Sequence, residues 1–236
     1  MANWNGIFSA AQLEQAENSI ECARDDLSKK TADGLSILHE AVKRRVAPLV
    51  VTALCGRQEV DVNAVDPQGR TPVLLAAEVE GSLVIPLIEG GADVNMSDEY
   101  GRSPIHWAAV KCTPDVLKAI AEKGDVNRLT QQGETALHWA AREGREQAIR
   151  TLADCDIDVK KESYGGKTAL DVAHDSVKGL LEELTKREEE KRAEKGESEK
   201  NEKNDGHFIQ SQSNRARGGG GMIGAKKSAK SGKKMK

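Results

Sequence analysis

The sequence predicts an all-α repeat solenoid, a row of helix–turn–helix units with β-hairpin-like turns, and three observations carry that fold class. Thr135-Ala136-Leu137-His138-Trp139-Ala140-Ala141 restates Ser103-Pro104-Ile105-His106-Trp107-Ala108-Ala109 from 32 residues earlier. Gly34, Gly69, Gly101, Gly133 and Gly166 mark five copies, separated by 35, 32, 32 and 33 residues. Four positions after each glycine stands Leu38, Val73, Ile105, Leu137 or Leu170, and seven positions after it Ala41, Ala76, Ala108, Ala140 or Ala173. A unit of this length cannot bury its apolar face alone and needs stacked neighbours, and five units suffice for a stable stack.

The elements follow in chain order. Residues 1–30 are expected to hold a capping helix, because Ile7, Ala11, Leu13, Ala16 and Ile20 form an amphipathic pattern that would cover the first repeat in place of a missing neighbour. The repeats occupy residues 31–185, with units beginning near 31, 66, 98, 130 and 163. Each opens on a turn such as Asp66-Pro67-Gln68-Gly69 or Asp98-Glu99-Tyr100-Gly101, in which Asp caps the turn and Gly can take positive φ. Thr71-Pro72 and Ser103-Pro104 then start a first helix, the hydroxyl as cap and the proline where its missing N–H costs nothing. That helix is short and is ended by Gly81 or Gly144. A second helix follows, with apolar residues at helical spacing such as Val116, Leu117, Ile120 and Ala148, Ile149, Leu152.

Three units depart from the pattern. Repeat one has Ser36-Ile37 in place of hydroxyl and proline, and repeat five has Asp171 where the others carry histidine. Its second helix still presents Val177, Leu180, Leu181 and Leu184 as one stripe. Pro86, counted from Ser82 as cap, is expected to remove one helical hydrogen bond and distort repeat two slightly.

Beyond the repeats the composition changes. Residues 186–213 form a charged segment of mixed sign, beginning Lys186-Arg187-Glu188-Glu189-Glu190-Lys191-Arg192, which supports a solvated helix for a few turns and is expected to be disordered beyond about Gly196. Residues 214–236 form a Gly/Lys-rich tail, also expected to be disordered, with Arg215, Arg217, Lys226, Lys227, Lys230, Lys233, Lys234 and Lys236 and no acid. The formal net charge of −3 thus divides into a body of about −11 and a tail of about +8. Such a cluster can serve as a nuclear or nucleolar address, contact RNA or ribosomes through phosphates, or only aid solubility. Without aromatic residues for base stacking it is not expected to read sequence.

Composition bounds the function. The 236 residues are 38% hydrophobic and 3% aromatic, which suits a core of Ala, Leu, Val and Ile between thin helices. No apolar run of membrane-spanning length and no signal-peptide pattern is present, so no membrane contact is expected. Cys22, Cys55, Cys112 and Cys155 lie far apart and form no Cys-x-x-Cys, so reduced, mostly buried thiols of a cytoplasmic or nuclear protein are expected. No nucleophile, base or metal cluster stands out, and no catalytic residue, cofactor, metal or small-molecule substrate is expected. His39, His106 and His138 each lie five residues after their glycine and are read as repeat-building residues whose ring bonds the backbone of an adjacent turn.

The period, the copies of a Gly-x-Thr-Pro-Leu-His-x-Ala-Ala phrase such as Gly101 to Ala109, and the Asp-Val-Asn copies at Asp61 to Asn63, Asp93 to Asn95 and Asp125 to Asn127 resemble the ankyrin repeat family. The resemblance implies a non-enzymatic protein–protein adaptor or scaffold that meets its partner on a concave face made of turn tips and first helices. On this chain it maps to Arg70, Tyr100, Arg102, Gln132, Glu134 and Tyr164 at the tips and to Trp107, Trp139 and Arg142 on the first helices. Trp, Tyr and Arg are the residues most often found as binding hot spots, which favours a Tyr100–Arg102–Trp107–Trp139–Arg142 contact patch. The alternative is that the two tryptophans serve inter-repeat packing. Two other roles are open: an assembly factor or chaperone of a ribosomal or other nucleic-acid complex, its tail on RNA, or a regulatory subunit that inhibits a partner enzyme.

Overall fold

The computed structural model describes residue 4 and residues 27–79, 81–190, 192 and 193. The expected capping helix, apart from Trp4 and residues 27–30, lies outside the described residues, as does the basic tail over 214–236. The chain divides into two compact units, residues 1–187 and 188–236. In the second, the described residues 188–190, 192 and 193 are helical, with Arg192 on Glu188 at 2.8 Å.

The first unit is built of helix pairs: α1 (Ile37–Lys43) with α2 (Pro48–Cys55), α3 (Pro72–Val79) with α4 (Val84–Glu89), α5 (Pro104–Lys111) with α6 (Pro114–Lys123), and α7 (Ala136–Arg142) with α8 (Glu146–Asp154). Each first helix packs on the next first helix, and each second helix on the next second helix, giving two layers. No strand occurs among the described residues. The core follows the repeat: Leu38, Val73, Ile105 and Leu137 are buried, as are Ala41, Ala76, Ala108 and Ala140, whose small side chains let helices approach closely. From the second layer come Leu54, Leu87, Leu117, Ile120, Ile149 and Leu152. Trp4 is buried against the same core.

Two polar rows lace the repeats together. Along the first helices, His39, His106 and His138 accept the backbone N–H of Ser36, Ser103 and Thr135 at Nδ1, at 3.3, 3.2 and 3.2 Å. Because a backbone amide can only donate, Nδ1 carries the lone pair and the ring proton sits on Nε2. Nε2 then donates to the carbonyl of Arg70, Glu134 or Lys167 in the next repeat, at 2.9, 3.2 and 2.9 Å. In the second row the Asp-Val-Asn copies bridge neighbouring units. The Asn63, Asn95 and Asn127 side-chain carbonyls accept the N–H of Asp93, Asp125 and Asp158 one repeat on, at 2.8, 2.8 and 2.9 Å. A polar side chain at a fixed offset thus satisfies backbone that a short helix would leave unpaired.

Two expectations are corrected. Pro86 removes no helical hydrogen bond, because α4 begins at Val84 with Leu83 as its cap, which places Pro86 in the first turn where the N–H has no intrahelical partner. The accommodation appears instead as a later start: α4 has 6 residues against 8 in α2 and 10 in α6. Repeat five is not a pair of helices. Residues 169–172 form turns, and a 3-10 turn at Asp175–Val177 leads into the helix of residues 178–187, here α9. A helix this short depends on packing, and Leu170 and Ala173 are only half-buried where their counterparts in earlier repeats are fully enclosed. Asp171 nevertheless does the local work of the missing histidine, accepting Thr168 N–H at 2.8 Å and Thr168 O–H at 2.7 Å. An ionised carboxylate has no N–H with which to reach a neighbouring carbonyl as the histidine Nε2 does.

Candidate functional site

The tips of the units form a hydrogen-bonded row. In each, a side-chain oxygen at the start of the turn accepts the amide N–H four residues on: Asp66 from Arg70 at 2.8 Å, Asp98 from Arg102 at 2.9 Å, Thr130 from Glu134 at 3.2 Å and Ser163 from Lys167 at 3.3 Å. The turn is closed like a hairpin by backbone bonds such as Asp98 N–H to Arg102 carbonyl at 3.0 Å. Tips are then tied to one another: Gln131 N–H donates to the Tyr100 carbonyl and Tyr164 N–H to the Gln132 carbonyl, both at 3.0 Å. At Gly133, φ is +76° and a Cβ would lie 2.6 Å from the Tyr164 nitrogen and 2.7 Å from its ring, so glycine is required twice over.

On this frame repeats three and four assemble one continuous aromatic and charged surface. Arg102 is held by Asp98 at 2.6 Å, and its guanidinium lies 4.8 Å from the centre of the Tyr100 ring and 5.2 Å from that of Trp107. Trp107 meets Trp139 edge to face, with centroids 5.2 Å apart and planes at 88°. The Trp139 indole N–H donates to Glu134 at 2.9 Å, and the same carboxylate pairs with Arg142. Both tryptophans are half-buried. They therefore pack across the repeat boundary and still present surface. Beyond them α5 and α7 leave an open cleft of about 340 Å³, lined by Trp107, Val110, Lys111, Trp139, Arg142 and Glu143.

The remaining expected residues lie outside this cluster. Arg70 is engaged within its own repeat by Asp66 at 2.8 Å and Glu78 at 3.2 Å, and Leu75 occupies there the slot of the tryptophans. Gln132 is exposed at the tip, and Tyr164, 74% exposed, lies over Gly133 rather than against the indoles. The tail residues Arg215, Arg217, Lys226, Lys227, Lys230, Lys233 and Lys234 lie outside the described residues. Val110 was not singled out from the sequence, although it stands one helical turn after Trp107 and so shares its face.

Electrostatics on this surface are locally balanced. Burial opposes ionisation of Glu134, yet the hydrogen bond and charge of Arg142 hold its carboxyl below the usual range. Asp66 is likewise depressed: burial pushes it up, and the Arg70 backbone N–H and guanidinium outweigh that. Burial keeps His39 and His106 below the ordinary imidazole value and therefore neutral. The Trp107 indole N–H is buried without a partner among the described residues. The position five residues before it is Arg102, a donor, where the Trp139 copy has the acceptor Glu134. Among the described residues no group of three or more His, Cys, Asp or Glu could hold a metal ion, and no helix is long and apolar enough to cross a membrane.

The family model described as Ankyrin repeats (3 copies) matches residues 38–130, 75–163 and 124–191. No curated protein matches the chain.

Proposed function

We propose, from the premise that this chain belongs to the ankyrin repeat family, that it is a non-enzymatic adaptor or scaffold that binds a protein partner on the tips and first helices of repeats three and four. Members of the family generally mediate protein–protein interaction. The observation that supports this particular face is the unbroken run Tyr100–Arg102–Trp107–Trp139–Glu134–Arg142, in which arginines are fixed by carboxylates and the rings by one another. Side chains ordered before binding lose little freedom when a partner arrives, and large aromatic and Arg side chains give the greatest return per residue buried. The chain acts in the cytoplasm or nucleus, and Cys55, Cys112 and Cys155 are free thiols, in keeping with a reducing compartment.

The charge asymmetry favours a second reading, an assembly factor or chaperone of a ribosomal or other nucleic-acid complex whose stack holds a protein client while the tail from Asn214 to Lys236 contacts RNA. One experiment separates the two. The full chain, a version ending at Asn204 and the Trp107→Ala/Trp139→Ala variant are used for affinity capture, each with and without nuclease. The adaptor reading expects partners kept by the shortened chain and lost with the tryptophans. Ribosomal or RNA-associated proteins that need the tail and vanish with nuclease would move the second reading ahead. Capture indifferent to both changes would overturn both.

A further inference from the structure

We infer that the stack has a built-in joint between repeats two and three, across which repeats one and two open as one block while repeats three to five stay folded. The aromatic and charged surface lies entirely on the block that stays closed. The joint falls where the histidine row is broken. Leu74 occupies the slot of His39, His106 and His138, and a leucine side chain has no N–H to donate. The Arg102 carbonyl stands in its unit where those of Arg70, Glu134 and Lys167 stand in theirs. It keeps the hairpin bond from Asp98 N–H at 3.0 Å but receives no histidine from the preceding unit.

The other ties across that boundary do not compensate. Glu99 N–H reaches the Gln68 carbonyl at 3.4 Å, against 3.0 Å for the two tip bonds further along the stack. The Cys112 thiol lies 3.6 Å from the Ala77 carbonyl. Asp125 N–H on the Asn95 side chain, at 2.8 Å, is left as the short polar tie among the described residues. Repeats one and two, by contrast, share His39 to Arg70 at 2.9 Å and Asn63 to Asp93 at 2.8 Å. Repeats three and four share the His106, Asn127 and Gln131 bonds, with the Arg145 guanidinium on the Cys112 carbonyl at 3.2 Å in addition. Repeats four and five share His138 to Lys167 at 2.9 Å and His174 N–H to the Ala141 carbonyl at 2.8 Å. Apolar packing runs through every boundary, so the polar ties are what differ. In a stack whose units touch only their neighbours, stability sums unit and interface terms, and the poorest interface sets where the stack divides. The N-terminal block also has the weaker units, since α1 starts without proline and α4 has 6 residues.

The test is amide hydrogen exchange of the full chain in mildly denaturing urea, read at Leu54, Leu87, Ile120 and Leu152. All four are fully buried in the second layer, one in each of repeats one to four, so their exchange reports opening rather than surface position. Leu54 and Leu87 should exchange together, about fivefold faster or more than Ile120 and Leu152, the joint lacking the equivalent of about one hydrogen bond. Leu74→His, which completes the row, should narrow that step. His39→Leu, which weakens the N-terminal block from within, should speed Leu54 and Leu87 and leave Ile120 and Leu152 unchanged. A single common rate, a gradual decline from Leu54 to Leu152 with no step after Leu87, a step unmoved by Leu74→His, or acceleration of all four by His39→Leu would overturn the proposal. Should Leu74→His fail to fold by circular dichroism, the wild-type step and the His39→Leu response decide by themselves.

Discussion

His106→Leu isolates the hydrogen bonds of the histidine row from its shape, because repeat two already carries leucine in that slot: Leu74 is fully buried there, with its N–H on the Thr71 hydroxyl at 3.3 Å. At position 106 the substitution removes three contacts: Ser103 N–H to Nδ1 at 3.2 Å, the Ser103 hydroxyl to the same Nδ1 at 3.0 Å, and Nε2–H to the Glu134 carbonyl at 3.2 Å, of which the hydroxyl can turn to another acceptor and the Ser103 N–H cannot. Ser103 is fully buried, so its N–H loses its partner without gaining water. Each bond contributes about 1 kcal/mol net, and an orphaned buried donor costs about 1–3 kcal/mol. Extra apolar burial by leucine returns part of that, leaving a destabilisation of about 2 kcal/mol. For a unit of this size the melting point should fall by roughly 4–8 °C. The pH dependence gives a second signature. The folded pKa of His106 is depressed by burial, so its contribution is complete above the unfolded value of about 6.5 and is lost as pH falls below it, when the unfolded chain takes up a proton that the folded one resists. Burial depresses His39 in the same direction, so it acts with the same sign. Urea unfolding followed by far-ultraviolet circular dichroism, at pH values on either side of about 6.5, should show the wild type losing stability on acidification and the variant losing less. Equal midpoints at neutral pH, with the same acid dependence in both proteins, would refute the assigned tautomer and the row built on it.

Further outcomes follow from the same contacts. Asn95→Ala should cost about 1 kcal/mol and speed amide hydrogen exchange at Asp125, whose N–H it accepts at 2.8 Å. Unchanged exchange there would remove the Asn row from the account. Gly133→Ala should cost more than about 2 kcal/mol, the positive φ and the Tyr164 contact adding, and a neutral effect in thermal melts would contradict the tip geometry. Burial pushes the Cys55 and Cys112 thiols up to about 11, so both should react slowly with a disulfide reagent at mildly alkaline pH until urea exposes them. Cys112 is buried and Cys55 half-buried, so Cys112 should be the slower, and rapid reaction of Cys112 in the folded chain would contradict its burial.

The architecture was legible because it is written five times. A glycine after a capping residue, an alanine seven positions on and a leucine-like residue at four each state a local requirement, and repetition separates requirement from accident. The two departures from expectation come from single-copy residues. The cap of α4 falls at Leu83 rather than Ser82, and that shift alone makes Pro86 harmless. Asp171 reads as a lost histidine, yet it retains the half of the histidine's role that acts within its own repeat.

The candidate surface divides along the same line. Sequence alone determined that Trp107 and Trp139 occupy one slot, that Tyr100 and Arg102 sit at a tip, and that these belong to neighbouring units, since each follows from position within the period. Only the tertiary structure decided that Arg102 seats between Tyr100 and Trp107, that the indoles meet edge to face, and that α5 and α7 leave a cleft beside Lys111. The period fixes where a side chain stands on its own unit. Distances between residues about 32 positions apart depend on how one unit is rotated against the next and which rotamers that permits, and no local pattern encodes either.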